Sequence, residues 1–321
     1  MRQLLDAAGG VTHTISAIVP TIGRAESLAT LLDALAAQTR RPDEVIVADG
    51  SDGDAIRTLT ADGRWADRHL QVRYLRTTPP NAVRQRQAAI AQSSGSLLLL
   101  LDDDVVPEPR CVEAMLDCLV TNNAVAVSAD FSNQDWPPPT TLWRWYLRVM
   151  HGVTGSEWQG RVIGPLLRFG YHPVPSHAVA MEWIGSGNTL VRRDAYDRSG
   201  GFSNFFLHRS TVNEDVDLGV KLLRIGPLYL CGAAQMAHLH APGGRPAVGV
   251  IAEDDLFNRF QILRHTIGRS RSSALAAVFT YFLIETASSV AATARAKGGA
   301  GAAARLSGRT RALLRILRTA A

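Results

Sequence analysis

The segment Leu97–Pro107, LLLLLDDDVVP, is the most informative stretch of the chain. Five leucines are too few for a helix of their own, and an unbroken apolar run of this length suits a strand buried on both faces. The three carboxylates that follow repel one another unless a cation or solvent screens them. Side chains alternate along a strand, so Asp102 and Asp104 can face one ligand. Hard oxygen donors of this kind suit Mg²⁺ or Mn²⁺, which bridge protein carboxylates to substrate phosphates. A plainer reading is an acidic loop ahead of a helix near Pro107-Glu108, because carboxylates favour a helix N-terminus. The leucine run sets the cluster at a sheet edge and so favours the ligand.

The surrounding sequence alternates in the same way. Ile15–Val19, Glu44–Ala48, Val72–Leu75 and Ala124–Val127 read as strands. Ser27–Ala37, Ala82–Gln92 and Cys111–Leu119 read as helices. This alternation predicts an α/β fold: a mostly parallel, Rossmann-like sheet with crossover helices. Ligands of such sheets bind beyond the carboxyl ends of the strands. The residues there are Pro20-Thr-Ile-Gly-Arg24, Asp49-Gly-Ser-Asp52 and Asp102-Asp-Asp104, so polar groups gather at one edge. From Phe131 to about Val179 the pattern breaks, with the run Pro137-Pro-Pro139 and Trp136, Trp143, Trp145 and Trp158. Order returns after Met181, and Asn213–Arg224 is amphipathic, with Val216, Val220 and Leu223 on one face.

Composition narrows the class. The 321 residues are 46% apolar and 20% charged, which excludes a disordered chain. Three cysteines exclude a disulfide scaffold and point to a reducing compartment. Cys111 and Cys118 sit seven apart on one helical face, and Cys231 is alone. The net charge is +5, and Lys221 and Lys297 are the only lysines among 34 basic residues. Arginine binds phosphate bidentately, although a GC-rich coding sequence explains the bias more plainly. The first twenty residues carry no long apolar core, so no signal peptide is expected.

Taken together, these segments resemble the family 2 glycosyltransferases, and among them the bacterial rhamnosyltransferase-like inverting enzymes. Leu97–Pro107 is similar to the family's metal-binding Asp-x-Asp segment. Ser16–Thr21 with Arg24 resembles its opening strand, and Asp43–Asp49 its second strand. Arg86–Ile90, ending at Gly95, resembles the helix before the metal strand, with Gln87 where Asn is usual. Gly185–Arg193, Gly200-Gly-Phe202 and Asn213-Glu-Asp215 resemble its later segments. The resemblance spans Ser16 to Gly244 and implies a GT-A-like fold acting on nucleotide-activated sugars. It implies that Asp49 reads the nucleobase and that Pro20, Thr21 and Arg24 line the nucleotide pocket. Asp52, Arg86, Asp102 and Asp103 would complete the donor side, and Asp104 and Asp102 would ligate the metal. His238, or else His240, would add a metal ligand, and Gly243-Gly-Arg245 would form a lid near the phosphates. Asp215, beside Glu214, would be the general base that takes the acceptor hydroxyl's proton. Helix-dipole stabilisation is the bland alternative for this acidic pair.

The expected organisation is a glycosyltransferase domain over 1–250 and a helical basic tail over 251–321. Within the domain, 1–130 would hold the nucleotide-sugar and 131–250 the acceptor. The tryptophans of 131–179, with Arg144, Arg148 and Arg161, would meet a sugar or lipid-linked acceptor, or else pack locally. After Glu285 every charged residue is basic. In the tail, Leu306, Leu313, Leu314 and Leu317 form one stripe opposite Arg311, Arg315 and Arg318, the pattern of a helix lying on an anionic membrane. Ala274–Ala294 is apolar, but Glu285 near its middle argues against a span. The expected setting is cytoplasmic, at the inner face of a membrane. The partners are a UDP- or dTDP-linked sugar and a glycan, lipid-linked or other glycoconjugate acceptor, without nucleic acid. Two rivals are a sugar nucleotidyltransferase and a non-catalytic carbohydrate-binding protein.

Overall fold

The structure is a computed structural model that describes residues 13–134, 140–151, 162–163, 168–169, 177–208, 211–241, 246–295 and 300–318. Trp136, Pro137-Pro-Pro139, Trp158, Arg161, Gly243-Gly-Arg245, Lys297 and the first twelve residues lie outside the described residues. In chain order the first elements are β1 (Ile15–Thr21), α1 (Ala25–Ala36), β2 (Glu44–Asp49), α2 (Ala55–Thr60), α3 (Arg64–Asp67), β3 (Val72–Arg76), α4 (Ala82–Gln92) and β4 (Leu97–Leu101). Next come β5 (Val105–Pro107), α5 (Cys111–Thr121), β6 (Ala126–Phe131), α6 (Thr141–His151), β7 (Val162–Ile163), β8 (Arg168–Phe169), β9 (Ala178–Met181) and β10 (Asn188–Arg192). The last are α7 (Arg193–Ser199), α8 (Glu214–Leu223), β11 (Leu228–His238), α9 (Val248–Gln261), α10 (Arg271–Arg295) and α11 (Ala300–Arg318). A 3₁₀ turn spans Asn204–His208, and one π-helical turn, Ile262–Thr266, follows α9.

Among the described residues, one nine-stranded sheet runs β3-β2-β1-β4-β10-β6-β11-β5, with β9 beside β11. β1 pairs in parallel with β2 and β4, and β2 with β3. The second half is mixed, because β10 runs antiparallel between β4 and β6. Parallel register brings Thr21 level with Asp49, and the carboxyl end of β4 lies at the same edge.

The leucine run shows why this sheet is buried on both sides. Leu98 and Leu100 join one apolar cluster, while Leu97, Leu99 and Leu101 join the other. Alternate side chains of a strand point to opposite faces, so each leucine faces a helical layer. Leu28, Leu31, Leu32 and Leu35 of α1, with Met115 and Leu119 of α5, cover one face. Val83 and Ile90 of α4, Leu218 and Leu222 of α8, and α9–α11 cover the other.

The break after Phe131 conceals a helix. Along α6, Trp143, Tyr146 and Leu147 are buried, whereas Trp145 is 60% exposed. Local packing therefore accounts for Trp143, which donates from Nε1 to Glu285 at 2.8 Å.

In the tail helix the two stripes face opposite ways. Three arginines reach the protein: Arg309 pairs with Glu285 at 3.0 Å, Arg311 with Glu253 at 2.8 Å, and Arg315 lies over the Phe257 ring at 3.6 Å. Leu306, Leu314 and Leu317 are the exposed residues of the opposite stripe. Close approach sets this arrangement, since a Cβ on Gly308 would meet the Gly249 carbonyl oxygen at 2.0 Å. Only glycine lets α11 settle so near α9, and Ala312 and Ile316 are then fully buried. Residues 271–291 are long and apolar enough to cross a membrane by length and composition, yet Glu285 in their midst has partners within the fold.

Candidate active site

The carboxyl edge of the sheet gathers the groups expected there. Thr21 Oγ1, at the end of β1, donates to Asp103 Oδ2 at 2.7 Å, and Arg24 Nη1 donates to Asp103 Oδ1 at 3.0 Å. Arg24 also stands 3.5 Å from Asp104 Oδ2. Burial pushes the Asp103 carboxyl above its ordinary value, despite these partners. Burial acts in the same sense on Asp104, but His238, the Ala241 amide and Arg24 outweigh it and hold that carboxyl low. Adjacent aspartates are thus set apart: Asp103 ties β1 to β4, and Asp104 stays ionised.

His238, at the end of β11, places Nε2 3.2 Å from Asp104 Oδ1. Asn133 brackets the histidine backbone with hydrogen bonds of 2.9 and 2.8 Å, and Phe131 stacks on its ring at 5.2 Å. Ligand atoms of Asp102, Asp104 and His238 all lie within 4.8 Å of one another. Among the described residues, His238 Nδ1 is buried without a hydrogen-bond partner. Two hard oxygens and an imidazole can hold a divalent cation, so these residues fit Mg²⁺ or Mn²⁺. His240 takes a left-handed backbone (φ 51°) and lies exposed with its ring 4.1 Å from that of His238, outside the cluster.

Arg86, buried within α4, joins the two acidic segments. Its Nη2 lies 2.5 Å from Asp102 Oδ1, and its Nη1 lies 3.4 Å from Glu214 Oε1. Ser186 Oγ donates to the same Glu214 oxygen at 2.9 Å. Gly187 is required beside them, because a Cβ there would meet Asp102 Oδ2 at 2.3 Å.

The acidic pair owes its position to α9. Asn213, before the first turn of α8, adopts a left-handed conformation (φ 70°), which Asn tolerates better than most residues. Asn213 Nδ2 donates to Asp255 Oδ1 at 2.9 Å, and Asn258 Nδ2 donates to the Val212 carbonyl at 2.8 Å. Arg259 Nε pairs with the same Asp255 oxygen at 2.9 Å and so fixes it. Burial, then the neighbouring Asp215 charge, pushes Glu214 upward, and burial pushes Asp215 upward.

Two cavities meet at this edge. One, of 320 Å³, is lined by Pro20, Thr21, Arg24, Arg86, Asp104 and Thr211, among others. The other, of 280 Å³, is lined by Phe131, Met181, Trp183, Asn188 and Asp215, among others. Asp102, Ser186, Glu214 and His238 line both, whereas Asp215 lines only the second. Asp49 and Asp52 line neither. Asp49 is fully buried and closes an Asx turn: Ser51 N donates to Oδ1 at 2.8 Å, and Tyr74 OH donates to Oδ2 at 3.0 Å. Asp52 is exposed on the loop beyond. Sequence reasoning missed Ser186, Gly187 and Asp255. The Gly-Ser-Gly run at 185–187 was the available sign of the first two, since it marks close backbone approach.

A nine-stranded mixed sheet with its acidic edge after the fourth strand defines a GT-A-like fold. Residues 16–172 match the family described as Glycosyl transferase family 2. The O-antigen biosynthesis protein RfbC of Myxococcus xanthus is 26% identical over 264 residues, which are 80% of this chain and 20% of that protein. The galactofuranosyltransferase GlfT1 of Mycolicibacterium smegmatis is 30% identical over 129 residues, 40% of this chain and 43% of that one. The chain therefore spans less than half the length of these curated relatives. Among solved structures, S. aureus TarS 1-349 superposes with TM-score 0.50 at 13% identity, covering 83% of this chain and 69% of that one. The same fragment in complex with UDP gives TM-score 0.51 at 12% identity, with 83% and 69% covered. The family match over residues 16–172 and these relatives together support a family 2 glycosyltransferase.

Proposed function

We propose that this chain transfers a sugar from a UDP- or dTDP-linked donor to a hydroxyl of a glycan, lipid-linked or other glycoconjugate acceptor, with inversion at the anomeric carbon. The observation that carries this reading is the meeting of two cavities across one carboxylate edge, with Asp215 on the second alone. The donor diphosphate fits the first cavity, where Thr21, Arg24 and Arg86 supply donors and positive charge. Pro20 walls it, while Asp49 and Asp52 shape the nucleobase side through their turn. Asp102, Asp104 and His238 would hold Mg²⁺ or Mn²⁺, with His240 as the alternate ligand, and the cation would neutralise charge on the departing diphosphate. The acceptor lies in the second cavity, against Trp183 and Phe131. Asp215 removes the proton from its hydroxyl as that oxygen attacks from the face opposite the diphosphate. Arg86 and Ser186 hold Glu214 beside it. The O-antigen role of RfbC supports a glycan acceptor, and the UDP complex of the TarS fragment supports a nucleotide donor.

Nucleotide-sugars incubated with the chain and Mn²⁺ are expected to release nucleoside diphosphate; pyrophosphate release instead would assign a nucleotidyltransferase. The acid limb of the kcat/KM profile carries a second test. Asp215 must be ionised to accept a proton, and its carboxyl lies above the ordinary value. Activity should therefore rise with pH along a limb above the ordinary carboxylate range of about 4. A profile flat from pH 4 upward would argue against Asp215.

A cytoplasmic position on an anionic membrane surface completes the proposal. The exposed Leu306, Leu314 and Leu317 of α11, with Trp145 of α6 and Phe279 and Leu283 of α10, supply apolar contact, and exposed Arg305 and Arg318 flank α11. Removing α11 would open the core, so surface substitutions are the better probe. Leu314→Asp with Leu317→Asp is expected to weaken sedimentation with phosphatidylglycerol vesicles while sparing donor hydrolysis. Unchanged vesicle binding would remove the membrane from the proposal.

A further inference from the structure

A third cavity, of 640 Å³, opens at the other end of α8. Glu214 and Arg224 are ten residues apart, roughly 15 Å along the helix axis, so this cavity is separate from the carboxylate edge. Arg198, Lys221, Arg224 and His265 line it, and no carboxylate does among the described residues. Two acids stand nearby. The fully buried Asp217 pairs with Lys221 at 2.9 Å, and the exposed Asp194 lies 3.7 Å from Arg198. Lys221 is further committed to Ser203 Oγ at 2.8 Å and to the Gly201 carbonyl. It therefore braces the loop, and Asp217 cancels its charge.

Arg224 differs from Arg198 and Lys221. It donates from Nη2 to the Thr266 carbonyl at 2.8 Å and has no carboxylate within ion-pair distance among the described residues. That bond engages one guanidinium nitrogen, and the exposed residue lines the cavity. Arg198 and His265 add charge around the same opening. Phe202, Phe205 and Ile225 supply apolar wall. A guanidinium fork matches phosphate oxygens bidentately. The volume is that of a small-molecule site and exceeds the needs of a bare oxyanion.

We propose that this cavity is a second binding site, which takes the phosphate ester of a small polar molecule without a divalent metal. Arg224 and Arg198 grip the phosphate, and the organic part rests on Phe205 and Ile225. The ligand would brace the C-terminal end of α8, whose first turn carries Glu214 and Asp215.

The test is calorimetric titration of glucose 1-phosphate into the full chain with a chelator present. Inorganic phosphate and gluconate serve as controls. One saturable site is expected in the wild type and equally in Asp104→Ala, whose substitution lies at the other cavity. Arg224→Glu is expected to weaken binding about tenfold to a hundredfold, as a lost charge-assisted contact does. Arg198→Glu should weaken it less, because Asp194 lies 3.7 Å from Arg198 and offsets part of its charge. Both side chains are exposed, and thermal melts check that the fold survives; if Arg224→Glu fails to fold, Arg198→Glu and the two controls still decide. Four results would overturn the proposal. They are no saturable binding in the wild type up to roughly 10 mM, unchanged affinity in the charge-reversed variants, loss of binding in Asp104→Ala, and gluconate or inorganic phosphate binding as tightly as the ester.

Discussion

Asp215→Asn is expected to lower sugar transfer by about 10²–10⁴ while leaving donor binding intact. The substitution keeps the size of the side chain, and Asn can still receive the Val216 amide that Asp215 Oδ1 receives at 2.8 Å. It removes the capacity to take a proton, together with one negative charge beside Glu214. Asp215 does not line the cavity that holds Thr21, Arg24 and Asp104, so donor contacts should not change. The decisive pair of measurements is calorimetric donor binding and single-turnover transfer by the variant. Wild-type transfer with normal donor binding would exclude Asp215 as the base.

Asp104→Ala is expected to abolish transfer while the chain still folds, with a modest loss of thermal stability, because the partners that hold this carboxyl low are lost. Three adjacent carboxylates at one strand end repel one another, and removing one relieves that repulsion. Three compensations are lost in return: the contact with His238 at 3.2 Å, the Ala241 amide bond at 3.0 Å and the Arg24 guanidinium at 3.5 Å. The backbone ties hold, because Leu239 N donates to the Asp104 carbonyl at 2.8 Å whatever the side chain. Activity should become insensitive to added Mn²⁺ because little remains to be stimulated. Near-normal turnover that resists a chelator would refute the metal assignment.

The parts of this fold that were legible in the sequence are those specified locally. β4 begins and ends where the leucine run does, and α4 spans the stretch its periodicity marks. The acidic edge followed, because a buried strand must end where its apolar run ends. α6 was hidden by the opposite circumstance. Its buried residues Trp143, Tyr146 and Leu147 have helical spacing, but Trp145 and the prolines before it blur the pattern. The tail shows a deeper limit. Periodicity finds its two stripes but does not say which one faces inward. That choice rests on Glu253 and Glu285, distant in sequence, which draw Arg311 and Arg309 into the fold.

The site divides along the same line. Asp102, Asp104, His238, Glu214 and Asp215 were readable because each ends a strand or opens a helix. Their supports were not, since Ser186 and Asp255 act through long-range contacts. Asp49 is the instructive case: its resemblance to a base-reading residue and its Asx turn are both present, and the turn is what its buried carboxylate makes in this structure.

The most direct test of the proposed chemistry is the anomeric configuration of the first product, read by proton NMR during turnover of a nucleotide-sugar donor of known configuration. One base on the acceptor side and one displacement give inversion. Inverted configuration is the expected result. A retained configuration would contradict the single displacement and with it the role given to Asp215.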